Sequence, residues 1–248
     1  MKTTFELRVK LFADGADKKG MLDMYQHAYI KGFTTNPTLM RKAGITNYKA
    51  FALSILKDIK DRPISFEVFA DDFAEMKIQA LEIASWGENV YVKIPVMNTQ
   101  GEHATDLIRE LAEAEVKQNI TALMTLNQVQ EVTDALANGP SAYISVFAGR
   151  IADTGIDPLP MMQTALDIMR PFPQLELIWA SPRELLNVFQ ADEIGCHIIT
   201  VTNEVLKKLN LVGKDLTDYS LETVKMFRQD ALAAGFDLEM EEELEKAV

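Results

Sequence analysis

Short runs of apolar and β-branched residues alternate with longer segments of helical periodicity from one end of the chain to the other. The strand-like runs are LRVKLFA from Leu7, GFTT from Gly32, ISFEVFA from Ile64, VYVKIPV from Val90, NITALM from Asn119, AYISVFA from Ala142, LELIWA from Leu175 and HIITVT from His197. Between them, apolar positions recur about every 3.6 residues over 48–60, 72–86, 105–115, 126–137, 159–169, 183–191 and 203–209. Strands of this kind separated by amphipathic helices describe crossover units on a parallel sheet. Eight such units in 248 residues predict a closed (β/α)8 TIM barrel, whose usual size is roughly 250 residues. No glycine-rich dinucleotide loop follows the first run, as an open nucleotide-binding sheet would require.

A single catalytic domain is therefore expected, with the barrel over about 5–212. Beyond the eighth unit, Leu221, Val224, Phe227 and Leu232 predict an extra C-terminal helix over 220–234, placed to cover the barrel mouth or reach a neighbouring subunit. The acidic segment Asp237 to Glu245 reads as a solvated tail or a frayed helix. No linker, repeat or low-complexity stretch divides the chain.

Net charge changes the picture of partners. A formal charge of −12 without a Lys/Arg run argues against nucleic acid, since neutralising phosphates needs a concentrated basic face. It leaves room for an anionic small substrate, because a few arginines make a locally positive pocket. MKTTFELRVK carries no apolar secretory stretch, and no window approaches the roughly 20 apolar residues of a membrane span, so a cytoplasmic protein without a membrane partner is expected. Cys196 is the only cysteine, which excludes an intrachain disulfide and a thiolate metal site; its apolar setting predicts a buried strand residue.

Candidate chemistry comes from polar residues in strands that ought to be apolar. The first run ends near Asp14, the third contains Glu67 and the fourth contains Lys93. An ammonium group among apolar neighbours loses hydration, which favours the neutral amine that attacks a carbonyl. Two readings of Lys93 stand: a Schiff-base nucleophile, or a lysine that snorkels outward or pairs with Glu67. Pro95 and the polar loop from Asn98 place Lys93 near the C-terminal end of its strand, where barrel sites lie. Asn119 and Thr121 share one face of the fifth run and together can hold a water that relays protons. The sixth run leads through Ser145 and Phe147 to Arg150, and the seventh leads to Ser181-Pro182-Arg183 just ahead of a helical pattern. These are the ingredients of an anion clamp, or else Ser181 is a helix N-cap and Arg183 an exposed first-turn residue.

Taken together, LFADGAD around Asp14, GFTTNPTL around Asn36, SFEV around Glu67, VKIPV around Lys93, NIT at Asn119–Thr121, SVFAGR ending at Arg150 and ASPR ending at Arg183 resemble the transaldolase family, including its small fructose-6-phosphate aldolase-like branch. The resemblance implies class I aldol transfer: Lys93 forms the Schiff base, Asp14 handles the substrate hydroxyl proton, and Glu67 acts as acid/base through a water held by Thr121. Asn36 and Asn119 would bind substrate hydroxyls, and Ser145, Arg150, Ser181 and Arg183 would grip the phosphate. It implies a dihydroxyacetone unit moved from a ketose phosphate to an aldehyde phosphate, with no metal or organic cofactor, by a homo-oligomer of carbohydrate metabolism such as the pentose phosphate pathway.

Near Asp14 the chain departs from the family pattern, with Gly15-Ala16 replacing a threonine-containing run, and Pro182 replaces an aromatic. The nearest alternative is an aldolase releasing free dihydroxyacetone; such aldolases carry glutamine where Glu67 stands and tyrosine where Phe147 stands, so both positions favour transfer. A tail anion other than phosphate, such as a sulfonate, fits the same clamp. The lysine-centred signature of a deoxyribose-phosphate aldolase is not apparent, and a non-catalytic sugar-phosphate-binding barrel would be expected to have lost Lys93, Asp14 or Glu67.

Overall fold

The computed structural model describes residues 6–236; the acidic segment Asp237 to Glu245 lies outside them. Eight parallel strands pair in sequence order: β1 (Lys10–Asp14), β2 (Ile30–Thr34), β3 (Ile64–Glu67), β4 (Val90–Pro95), β5 (Gln118–Leu123), β6 (Ala142–Val146), β7 (Leu175–Trp179) and β8 (Ile198–Thr202). Pairing of β8 with β1, from Lys10 opposite Ile198 to Asp14 opposite Thr202, closes the expected (β/α)8 barrel. The connections carry α1 (Lys18–Tyr25), α2 (Pro37–Lys42), α3 (Tyr48–Asp58), α4 (Phe73–Ala84), α5 (Thr105–Glu113), α6 (Leu126–Leu136), α7 (Ala148–Asp153), α8 (Leu159–Met169), α9 (Leu186–Glu193) and α10 (Asn203–Leu206). This barrel belongs to a compact unit ending at Leu209, and a second unit starts at Asn210 and holds α11 (Leu216–Ala233). Asp215 caps α11 by accepting from the backbone N–H groups of Thr217 and Asp218.

Local chemistry explains the boundaries. Helices α1, α2 and α7, of eight, six and six residues, lie outside the segments that periodicity predicts. The first run reaches strand geometry only at Lys10, because the backbone N–H groups of Arg8 and Val9 are taken by the Asp192 carboxylate, at 2.5 and 3.0 Å, instead of by a neighbouring strand. The helix expected from Arg183 begins at Leu186, so Ser181 caps nothing. Cys196 is buried as expected but stands just before β8; burial pushes its thiol up to about 12, which makes it inert. No helix among the described residues is long and apolar enough to cross a membrane.

The barrel is filled from below. Leu11 and Ala13 of β1 pack outward into the layer shared with the helices, whereas Phe12 joins Tyr91, Tyr143, Ile178 and Ile198 in a separate cluster inside the lumen. Tyr91 and Tyr143 stack with centroids 4.0 Å apart, and Phe12 meets Tyr143 edge-on at 5.7 Å. This aromatic plug raises the cavity floor, so polar side chains one step further along each strand end at an open mouth. Gly32, paired with Phe12, makes the plug possible: a Cβ there would lie 2.5 Å from the Phe12 ring.

Gly32→Ala is expected to cost about 1–3 kcal/mol by overpacking. Adding Phe12→Leu should recover much of that loss, as read from denaturant midpoints. A Gly32→Ala protein as stable as the parent would show that the ring has room to move.

Candidate active site

A cavity of about 640 Å³ opens at the C-terminal ends of the strands, and all the expected site residues except Asn119 line it. Strand register brings the ionisable groups together. Glu67 and Lys93 are paired across β3 and β4, and alternation turns both side chains into the lumen. Lys93 is 7% exposed; its Nζ lies 3.0 Å from Glu67 Oε2 and donates to the Thr35 carbonyl at 3.1 Å. The outward, snorkelling reading of Lys93 is thereby excluded, while the pairing with Glu67 coexists with a place on the cavity wall. Tyr48 from α3 donates to the Glu67 backbone carbonyl at 2.7 Å, which anchors the end of β3 from behind.

Asp14 closes the opposite side of this group. Its Oδ1 accepts from the Thr34 hydroxyl at 2.7 Å, and Thr34 is in turn hydrogen-bonded to the hydroxyl of Thr200. Burial holds the Asp14 carboxyl above the usual carboxylate range; the Lys93 charge and the Thr34 hydrogen bond pull it down, and Glu67 pushes it up. A carboxyl raised in this way can pick up and return a proton nearer neutral pH than a solvated one.

Thr121 stands at the wall with its Oγ1 buried and no hydrogen-bond partner among protein atoms. The next residue, Ala122, has φ of 66° at the point where the β5–β6 register shifts. A bulge there interrupts the pairing between Ile120 and Leu123 and brings Ala122 into the lining. Asn119, fully buried, lies below the lining: its Nδ2 donates to Ser65 Oγ at 2.9 Å and its Oδ1 accepts from Ser145 Oγ at 2.7 Å. It ties β3, β5 and β6 together under the cavity floor. Asn36 caps α2, its Oδ1 accepting from the Leu39 N–H at 2.9 Å, and still faces the cavity.

The cationic rim comes from the loops after β6 and β7. Ser181 has φ of 61°, in the left-handed region, so both its carbonyl and its hydroxyl accept from Arg183 Nη1, at 3.1 and 2.9 Å. Arg183 also grips Asp153 of α7 with Nε, at 2.8 Å, and with Nη2. This pair holds the Asp153 carboxyl below the usual range and pushes the Arg183 guanidinium up. Arg150 makes no ion pair among the described residues and lies 5.5 Å over the Phe147 ring. Gly149 lets the two loops meet: a Cβ there would fall 1.6 Å from the Ser181 carbonyl oxygen.

Sequence reasoning missed Thr34 and Thr200 as parts of the site, and also Lys42, which lines the rim. The signal for the two threonines was the one used elsewhere, a polar side chain at an inward position of an apolar strand. Strand β8 carries no charge, and the one charge on β2, Lys31, is exposed, so neither strand had an inward charge to draw attention.

This is a barrel with a lysine inside its mouth, flanked by two carboxylates and facing an arginine-bearing rim. Residues 11–246 match the family model described as Transaldolase/Fructose-6-phosphate aldolase. A protein named "Probable transaldolase" from Dehalococcoides mccartyi is 34% identical over 211 residues, covering 85% of this chain and 93% of that one. Another of the same name from a Thermoanaerobacter species is 32% identical over 234 residues, covering 93% of this chain and 100% of its own. The chain therefore belongs to the transaldolase/fructose-6-phosphate aldolase family of enzymes. Among solved structures, KGPDC from Streptococcus mutans aligns with a TM-score of 0.56 at 10% identity, over 80% of this chain and 90% of its own, and a 2,3-dimethylmalate lyase with 0.55 at 12%, over 96% and 88%. At such identities the likeness is one of fold.

Because the Asp14 carboxyl is raised, its ionisation costs the folded state stability. The penalty is absent below the ordinary carboxylate value and grows as pH rises through the folded value. Asp14→Asn should therefore be more stable than the parent at neutral pH, and the difference should shrink towards pH about 3–4. Equal melting temperatures at pH 7 would contradict the burial argument.

Proposed function

We propose that the cavity carries out aldol transfer through a Schiff base on Lys93, moving a dihydroxyacetone unit from a ketose phosphate to an aldehyde phosphate. The observation that carries this reading is the placement of one buried lysine at the cavity wall with a carboxylate 3.0 Å away and a second, raised carboxyl beside it.

In this reading the Lys93 amine adds to the substrate ketone, and loss of water leaves an iminium ion. Asp14 then takes the proton of the hydroxyl on the carbon beyond the bond to be broken. That bond cleaves, its electron pair flows to the iminium nitrogen, and an aldehyde leaves while a three-carbon enamine stays bound. Addition of the enamine to a second aldehyde reverses these steps, Asp14 returning its proton, and hydrolysis frees Lys93. Glu67 manages the protons of carbinolamine formation and breakdown through a water, and the partnerless Thr121 hydroxyl supports that role because a buried hydroxyl needs a hydrogen-bond partner. The lysine nitrogen supplies the electron sink, so the sequence of steps is complete without metal or organic cofactor.

Two features favour transfer over release. Glu67 is ionisable, and Phe147 presents no phenol that could protonate the enamine. The rim supports an anionic substrate tail, but not with equal shares. Arg183 is already engaged by Asp153 and Ser181, whereas Arg150 carries a charge with no paired carboxylate among the described residues. Ser145, with its hydroxyl turned to Asn119, and Asn36 at the lining complete the polar surface offered to the sugar chain.

Borohydride reduction in the presence of fructose 6-phosphate should add a three- or six-carbon mass to the peptide bearing Lys93. An active enzyme whose Lys93 stays unmodified would end the proposed mechanism. Arg150→Ala should raise the KM for phosphorylated substrates at least about tenfold, as loss of a charged hydrogen bond does. Asp153→Asn, which leaves Arg183 without its paired charge, should lower that KM, with little change in either variant for an unphosphorylated ketose. Equal effects on both substrate types would remove the clamp.

A further inference from the structure

We infer that Thr200 is a positioning residue for Asp14: acting through Thr34, it fixes which carboxylate oxygen exchanges the substrate proton. The inference rests on the proposed reaction for its chemistry, but its geometry stands apart from it.

A threonine hydroxyl has one proton to donate and lone pairs to accept with. Thr34 Oγ1 lies between two oxygens, Asp14 Oδ1 at 2.7 Å and the hydroxyl of Thr200. An ionised Asp14 accepts only, so Thr34 gives its proton to Oδ1, and Thr200 must give its proton to Thr34. The chain then runs in one direction, from Thr200 to Thr34 to Asp14. With Oδ1 occupied by a donated hydrogen, an incoming proton goes to Oδ2, which has no hydrogen-bond partner among the described residues. Without the Thr200 donor, Thr34 is free to turn, and Oδ1 competes for the proton.

Burial gives this arrangement weight. Thr34 is 3% exposed and Thr200 7% exposed, so bulk water is poorly placed to substitute for either hydroxyl. Register holds them: Asp14 is paired with Thr34 on β2, and Thr200 is opposite Phe12, one inward step below Asp14. The charged groups acting on Asp14 are Lys93 from β4 and Glu67 from β3; β2 and β8 present only the two hydroxyls. A polarised chain ending on a carboxylate strengthens each bond in it, so cutting it at Thr200 disfavours the ionised form.

The test compares Thr200→Val, which keeps the shape and removes the hydroxyl, with Thr200→Ser, which keeps the hydroxyl. In the valine variant borohydride trapping at Lys93 should proceed as in the parent, since imine formation does not use Asp14. Carbon–carbon cleavage should fall about tenfold, the scale of one weakened charged hydrogen bond. The acid limb of its pH profile should move to higher pH, and serine should restore both within about twofold. The same upward move should appear in the titration of the Asp14 carboxyl carbon by NMR, assigned by its loss in Asp14→Asn. That measurement needs no substrate, so it judges the chain even if the parent enzyme failed to trap and the proposed mechanism fell. A valine variant with the parent's titration midpoint, a serine variant as impaired as valine, or trapping lost together with cleavage would each overturn the inference.

Discussion

An ammonium group inside a barrel lumen must find partners, and the pairing of Lys93 with Glu67 is the constraint to which the rest of this site answers. Stripping water from two charges costs several kcal/mol each, and their attraction offsets this only where geometry is good and remaining donors are satisfied. The direct pairing of Glu67 with Lys93 across β3 and β4 meets the first condition. The Thr35 carbonyl meets part of the second, and it is set by its own side chain, whose hydroxyl donates to the Ser65 carbonyl at 2.8 Å. Ser65 in turn receives Asn119, which receives Ser145. The polar floor is thus one connected arrangement spanning β2, β3, β5 and β6, and it rests on the aromatic plug of Phe12, Tyr91 and Tyr143.

The mouth divides into two halves with different jobs. Strands β1, β3 and β4 carry the ionisable groups, held from the side by Thr34 of β2 and from behind by Tyr48. The β6 and β7 loops carry cations on short, strained connections. A left-handed Ser181 costs roughly 1–2 kcal/mol relative to relaxed backbone, and it places two acceptors on one guanidinium nitrogen. Gly149 permits this by leaving room for the Ser181 carbonyl, so the glycine in SVFAGR is a packing requirement of the neighbouring loop.

The barrel was legible because its helices and strands differ in period, and eight repeats leave little freedom in how the sheet closes. Lys93, Glu67 and Asp14 were legible for a related reason: a charge within an apolar strand has few explanations. What escaped notice lacked such contrast. Thr34 and Thr200 are β-formers in β-strands, unremarkable until register sets them against Asp14. Asn119, expected on one face with Thr121, lies below the lining, and its depth depends on the bulge at Ala122 and the height of the aromatic plug, neither of which has a local signal. The Arg183–Asp153 pair joins residues thirty positions apart, one in the loop after β7 and one at the end of α7, and the short α7 was invisible to periodicity.

That pair changes how a protein of net charge −12 can hold an anion. Local potential, not the total, decides affinity, and screening confines exposed charges to about a Debye length of roughly 8–10 Å. Asp153 sits within hydrogen-bonding distance of one of the two rim arginines, so the rim offers one largely uncompensated guanidinium and one that is half neutralised and rigidly aimed. Under the proposed transfer, a rim of this kind suits the release of one phosphorylated product before the next substrate is accepted. Two free arginines would bind every phosphate more tightly, donor, product and acceptor alike, and uniform tightening does not speed the chemical step. A fixed, partly neutralised arginine orients the tail while leaving the affinity low enough for exchange.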